Sequence, residues 1–424
     1  MLDSPPSLVQ IVAAVLFALA VLHTFSTRSF ERLARLQPSH AGLWHLLAEV
    51  EVVFGFWAMV LVAFLIAHQD FGSAMGYLES LSFREAAFIF VIMVIAASRP
   101  VLDFSGALLS WIGRLLPLPP PAAYYLTVLS VGPLLGSFIT EPAAMTLCAM
   151  LLRHRFFSKQ APAVFKYATI GVLFVNVSVG GTLTPFAAPP VLMVAERWSW
   201  DFPFMLQTFG WKAVLVVTVN AAAVTALMRR HLSELPYKFK KLEGVETPWP
   251  VIAVHLALLG GVVVASHYTV VFIGLFLFFL GFAEAYRRYQ SGLILREGLL
   301  VAFFLAGLVV LGGKQEWWLQ PLLAGMGSTA LYYGATLLTA ITDNAALTYL
   351  GSLVDGLTAE ARYALVAGAV SGGGLTVIAN APNPAGYSIL KGAFDQGVIS
   401  ALWLAVSAVP PTLVAVAAFQ LLPM

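Results

Sequence analysis

Glu141 and Asp343 are acids set in apolar sequence, and the same short motif surrounds both. Residues 140–146 read Thr-Glu-Pro-Ala-Ala-Met-Thr and residues 342–348 read Thr-Asp-Asn-Ala-Ala-Leu-Thr, with four of seven positions identical. Downstream of each copy lies a second matched stretch, 180–190 and 372–382, with six of eleven positions identical and several Gly and Pro. A carboxylate in the middle of a membrane is costly, so it faces a cavity and marks an ion or proton path. Burial favours its protonated form and a bound cation favours its ionised form. One such group can therefore hold either a proton or a hard cation, which is what exchanging the two requires. Oxygen ligands suit hard cations. Thr140, Thr342 and the carbonyls of broken helix around Thr184 and Thr376 would complete the shell. Asn344, Asn380 and Asn383 add amide oxygens, whereas the aligned positions of the first half are Pro142, Ala188 and Val191. The site is therefore expected to be asymmetric. Asp343 is expected to be the more direct ligand because Asn344 stands beside it, with Glu141 second, and the sodium ligands to look for are Asp343, Glu141 and Asn344. The competing reading makes each acid a hydrogen-bonded cap on a short helix.

The elements that carry these residues must lie in a bilayer. Of 424 residues 60% are hydrophobic and 10% are charged, against about 25% charged in a soluble domain. The net charge of +2 is too small to point to nucleic acid. Cys148 is the only cysteine, so there is no intrachain disulfide. The apolar start at Leu8–Phe25 lacks a basic lead and a small-residue cleavage site and reads as a first span. Apolar runs fall near 8–24, 45–69, 85–104, 122–152, 165–195, 204–228, 249–267, 269–285, 297–313, 321–354, 361–390 and 396–422. About 17–25 residues span a bilayer. Runs 122–152 and 321–354 are too long for one helix, and the Thr-acid motif interrupts each, so each reads as a re-entrant hairpin. Runs 165–195 and 361–390 read as broken spans. Backbone of this kind is tolerated only where protein or a water-filled cavity covers it. In the region 249–285, Gly260-Gly261 and His267-Tyr268 compete as the break.

Loop charge sets the orientation through the excess of Lys and Arg on the cytoplasmic side. Arg28, Arg32 and Arg35 lie in 25–44, Arg153, Arg155, Lys159 and Lys166 in 153–166, and Arg287, Arg288 and Arg296 in 286–296. The linker 229–248 carries Arg229, Arg230, Lys238, Lys240 and Lys241. These segments are expected to be cytoplasmic. The acidic loops 70–84, 196–203 and 355–360 are expected outside, with both termini. The expected fold is an all-α polytopic membrane protein of two inverted repeats, 1–228 and 249–424, joined by that linker. Each repeat has five crossings and one re-entrant hairpin, and broken helices meet at the midplane.

Other polar residues in the spans carry less weight. Glu49 and Glu51 are expected near an interface, Lys212 snorkels or pairs with an acid, and His255 is expected to be a packed, hydrogen-bonded histidine. Asn176 and Asn220 are expected to bond across helices. Trp198, Trp200, Trp317 and Trp318 read as an interfacial belt. No P-loop, zinc-ligand spacing or Gly-x-Gly-Asp is present, so no cofactor, ATP-driven step or aspartyl-protease chemistry is expected.

At the four motifs, 137–148, 180–191, 342–348 and 372–386, the chain resembles the ion transporter superfamily. That group includes sodium/proton antiporters, sodium–dicarboxylate symporters and arsenite permeases, and the likeness is to its bacterial sodium/proton antiporters. The resemblance implies that hairpin tips and the breaks after them build the site. By position these are Thr140 and Glu141, Thr182 and Thr184, Thr342, Asp343 and Asn344, and Thr376, Asn380 and Asn383. It also implies a homodimer with an elevator-like motion in the bacterial inner membrane. Dicarboxylate carriers of the group have Ser-Asn-Thr at both tips, where this chain has Ile-Thr-Glu and Ile-Thr-Asp. Two carboxylates repel a dianion by several kcal/mol at low dielectric.

The expected function is a secondary active transporter, not an enzyme, exchanging a monovalent cation, with sodium first, for protons. The rivals are a sodium-coupled symporter of a small anion or organic acid, whose only cation within a span would be Lys212, and an intramembrane hydrolase using the two acids. A channel is a third. The topology is open to test with cysteines at positions 160 and 357 in a chain whose Cys148 has been replaced. An impermeant thiol reagent should reach them from opposite faces, and labelling from the same face would remove the inverted repeat.

Overall fold

A computed structural model describes residues 5–234, 247–394 and 397–423, so Lys238, Lys240 and Lys241, expected on the cytoplasmic side, lie outside the described residues. Every regular element among the described residues is helical. Among the described residues six helices are long and apolar enough to cross a membrane, or up to eight if each of two bent pairs is one span. Long helices thus do not account for all ten crossings expected from the apolar runs. Several of those runs are built from pieces, and the run at 249–285 divides into Trp249–Val264 and Thr269–Ala285. The break there falls at 265–268, and Gly260-Gly261 continues as helix.

By packing, the chain forms two compact units, and each takes segments from both halves of the sequence. The smaller comprises Met1–Phe90, Leu295–Gly327 and Tyr349–Ala359. Its centre is a crossing of Val50–His68 with Leu295–Gly312. A Cβ on Gly307 would lie 2.3 Å from the Gly55 nitrogen, so these backbones touch, as small residues allow between helices in lipid. Arg296 donates to Glu49. In the same unit Trp317 and Trp318 are half-buried, and Trp318 donates to Gln315 at 2.8 Å.

The larger unit, Val91–Ile294, Ser328–Thr348 and Glu360–Met424, carries all the paired motifs. Helices α1 (Pro120–Ile139) and α2 (Glu141–Arg155) fold back on each other about Thr140. Gly132 rests on Cys148 and Gly136 on Ala144, which fixes the antiparallel register. Then come α3 (Ala163–Gly180), a break over 181–188, α4 (Pro189–Ala195) and α5 (Trp211–Leu227). The second set is α6 (Ser328–Thr339), the first five residues of α7 (Asn344–Ser352), α8 (Ala359–Gly372) from Glu360 on, a break over 373–382, α9 (Asn383–Leu390) and α10 (Ala401–Leu421).

Prolines open and wire this unit. Pro142 and Pro189-Pro190 stand in the first turns of α2 and α4, where a missing N–H costs nothing. Pro133 lies inside α1 and so leaves the carbonyl of Leu129 without its helical donor. Asn176 of α3 donates to that carbonyl at 2.8 Å and to Val217 O at 3.1 Å. Asn220 of α5 donates to Asn176 at 2.9 Å and to Pro411 O of α10 at 3.2 Å. The two asparagines thus bond across four helices, α1, α3, α5 and α10. His255 is packed and bonded to Val251 O and Gln290. Lys212 is fully buried and donates to Tyr363 Oη at 2.6 Å and Leu422 O at 3.2 Å. Trp198 and Trp200 depart from the expected belt. They are buried, 5.0 Å apart ring to ring, because the chain after α4 turns them inward.

Close backbone approach makes a stability contrast. A Cβ on Gly180 would lie 2.7 Å from Pro133 O, while Gly260 has nothing within 4 Å. Gly180→Ala should lower stability by about 1–3 kcal/mol, and Gly260→Ala should raise it by roughly 0.5–1 kcal/mol, as read by thermal melting of the purified protein. Equal melting temperatures for the two variants would contradict this packing.

Candidate functional site

The two halves of the larger unit are wired alike. Thr184 Oγ1 donates to Ser137 O at 2.7 Å, and Thr376 Oγ1 donates to Ala340 O at 2.8 Å. Gly180 presses on the carbonyl of Pro133, and its aligned partner Gly372 presses on the carbonyl of Thr336. Each Gly motif is thereby fixed to the first arm of its own helix pair. Ser137 adds two more bonds in the first half, donating to Gly180 O and accepting from Leu183 N. The broken helices also touch each other: Ser178 Oγ donates to Val370 O at 2.8 Å.

At the first tip Thr140 has φ 73°. A β-branched residue rarely adopts that region, and the strain costs of order 1–3 kcal/mol. Its consequence is local: α1 ends at Ile139, α2 starts at Glu141, and the Glu141 side chain leaves the pair. Glu141 is fully buried. Its Oε2 accepts from Asn380 Nδ2 at 2.8 Å, while Oε1 has no hydrogen-bond partner. Gly181 makes room for it, since a Cβ there would lie 2.4 Å from Oε1.

Asp343 behaves differently. Its Oδ1 accepts from Ala345 N at 2.8 Å and Ala346 N at 3.2 Å, so it caps α7. The reason lies in the sequence. The amide that Glu141 meets belongs to Asn380, and the aligned residue of the first half is Ala188, which offers Asp343 no such partner. Asp343 thus caps its own helix, whereas Glu141 meets a side chain of the other half.

Three asparagines gather near Glu141. Asn380 is bonded to it, and Asn344 N donates to Ala379 O, one residue before Asn380, at 3.1 Å. Asn383 Nδ2 donates to Gly373 O and Thr376 O, both at 2.8 Å. A Cβ on Gly373 would lie 3.0 Å from Asn344 Nδ2, which places these side chains in one locality. All three asparagines are fully buried. Each Oδ1 lacks a partner, as do Asn344 Nδ2, Thr140 Oγ1 and Thr339 Oγ1. A buried polar atom left unpaired costs about 1–3 kcal/mol, so a group of them calls for an explanation, such as an ordered water or a bound ion.

Of the other expected residues, Thr182 Oγ1 donates to Val179 O and Thr342 Oγ1 to Leu338 O, each within its own segment. Thr342 and Asp343 are half-exposed, unlike Glu141. Among the described residues no three His, Cys, Asp or Glu gather. One buried carboxylate with neutral amide and hydroxyl oxygens is a donor set for a singly charged hard cation. Sequence reasoning did not single out Thr339 or Ser137. Both stand four residues before the tip acid in their copies, a regularity that was available.

Lys212, the candidate partner for an anion, gives its hydrogen bonds to Tyr363 and Leu422 O. Residues 8–422 match a family described as "Putative Na+/H+ antiporter", nearly the whole chain. No curated protein matches it. With its apolar helices and buried oxygen cluster, the chain belongs to this Na+/H+ antiporter family and is an integral membrane transporter, not an enzyme.

Proposed function

We propose that this protein exchanges Na+ for H+ at Glu141, with the amide oxygens of Asn344, Asn380 and Asn383 and the hydroxyls of Thr140 and Thr339 around it. The observation that carries the reading is the Glu141 carboxylate, buried, with Oε2 held by Asn380 and Oε1 unpartnered. An isolated ionised carboxylate in a low-dielectric interior is strongly disfavoured. Either a proton or a sodium ion relieves it, so the two compete for one group. Thr182, Thr184, Thr342 and Thr376 shape the breaks, and Asp343 fixes the second tip as a cap.

The paired wiring of Thr184 to Ser137 and Thr376 to Ala340 supports two repeats built on one plan. In this reading the repeats are inverted, the helix pairs at 120–155 and 328–352 are re-entrant, and both termini lie outside a bacterial inner membrane. A homodimer fits the family resemblance. Sodium–anion symport remains the alternative reading; its candidate residue Lys212 donates to Tyr363 Oη and Leu422 O.

Reconstitution with a pH dye inside the vesicles tests the roles. Glu141→Gln should bring Na+-driven proton efflux to background. Asp343→Asn should keep exchange, because Asn caps a helix about as well as Asp and the lost charge is worth roughly 0.3–1 kcal/mol. Wild-type exchange by Glu141→Gln would remove the chemical basis of the proposal. Loss in Asp343→Asn alone would return the role to Asp343. Uptake driven by Na+ with an added anion and no proton movement would establish the symporter.

Gly181→Ala offers a test that leaves every charge in place. Its Cβ would overlap the Glu141 carboxylate, so the half-saturating Na+ concentration should rise. An unchanged value would mean that Glu141 does not sit where sodium binds.

A further inference from the structure

Helices α3 and α8 open on a second shared signature. Residues 166–168 read Lys-Tyr-Ala and residues 362–364 read Arg-Tyr-Ala. In both helices the basic residue is the fourth. Each reaches past its own half to the chain that follows the short helix of the other. Lys166, 3% exposed, donates to Ala393 O at 3.0 Å and stands 5.4 Å from the Phe394 ring, just beyond α9. Arg362 stands 5.6 Å from the Trp198 ring, just beyond α4. Both separations fall within the reach of a cation–ring attraction. The tyrosines reinforce the pattern. Tyr167 packs 5.1 Å from Phe394, and its hydroxyl accepts from Ser400 N at the head of α10. Tyr363 donates to Phe419 O near the other end of α10.

The two grips hold unequal cargo. Helix α9 starts with Asn383 and follows Asn380; both carry unpaired oxygens, and Asn380 is bonded to Glu141. Helix α4 follows Ala188 and carries Val191 at the aligned places, so it brings no ligand atom. The far end of α9 has a second hold as well. Arg153 of α2 donates to Ile389 O at 2.7 Å. The last carbonyls of a helix carry partial negative charge and lack helical donors, which is why cations hold there. Helix α2 begins at Glu141, so Arg153 and Glu141 tie the two ends of one helix to α9 and to the break before it.

We propose that Lys166, with Arg153, is a positioning residue for cation binding. It sets where Asn380 and Asn383 stand against Glu141 by fixing the distal end of α9. Arg362 performs the corresponding structural task for α4 and has no ligand to place. The proposal rests on the antiporter reading of the Glu141 site.

The test compares wild type, K166Q, K166R, R153Q and R362Q in proteoliposomes. It reads half-saturating Na+ and maximal rate separately, and measures the shift in melting temperature with Na+ on the purified proteins. K166Q should raise half-saturating Na+ roughly tenfold, which corresponds to about 1.4 kcal/mol, with the maximal rate little changed. K166R should restore it. R362Q should keep the wild-type value even if it melts earlier. Arg153 is exposed, so R153Q is the variant to read should K166Q not fold, and it should shift in the same direction. Equal shifts in K166Q and R362Q, or a lower melting temperature in K166Q with unchanged half-saturation, would reduce Lys166 to a helix cap and overturn the proposal. A wild-type protein that exchanges no Na+ for H+ and gains no melting temperature from Na+ would overturn the antiporter reading, and the positioning role with it.

Discussion

An acid with an unsatisfied oxygen in the dry part of a membrane protein sets the terms for everything around it. Glu141 has one hydrogen bond, from Asn380, and that residue lies 239 positions along the chain. Desolvation penalises the charged form by several kcal/mol even after relaxation. On the proposed reading a cation or a proton relieves that penalty. The breaks at 181–188 and 373–382 both reach this acid, through Gly181 and Asn380. They bring main chain and the Asn380 side chain to the acid.

Breaking helices in a bilayer creates its own demand, because each freed peptide group must find a partner inside the protein. The larger unit meets this with short polar side chains. Ser137 serves Gly180 and Leu183, Asn176 takes the carbonyl released by Pro133, and Asn383 serves two carbonyls of the second break. These residues belong to the same economy as the site itself. Asn383 shows the overlap: its nitrogen secures the main chain and its oxygen remains open.

Much of this was legible in the sequence. The duplicated Thr-acid and Gly motifs located the breaks, since the helices stop at Ile139, Gly180, Thr339 and Gly372. The asymmetry was legible too, from Asn380 facing Ala188 in the alignment. The turn of Asp343 back onto its own helix was not. Adjacency of Asn344 to Asp343 said nothing about direction, and a side chain at a helix start can turn back to cap its own amides, as Asp343 does. Trp198 and Trp200 misled for a related reason: composition marks aromatic residues as interfacial, and only the turn after α4 puts them inside. Lys166 read as loop charge because its value lies in a carbonyl 227 residues away.

The amide of Asn344 has a counterpart that does not exist. In the second half it joins the tip directly to the following break through Ala379 O. The first half has Pro142 at that place, and proline has no N–H to give. One junction is therefore welded by main chain, while the other is held by the Thr184 hydroxyl and the packing of Gly181 under Glu141. A hydroxyl can turn and trade partners without unwinding a helix. The two tips are thus joined to their breaks by bonds of different kinds, main chain in one half and a side-chain hydroxyl in the other, a difference that a perfect duplication would lack.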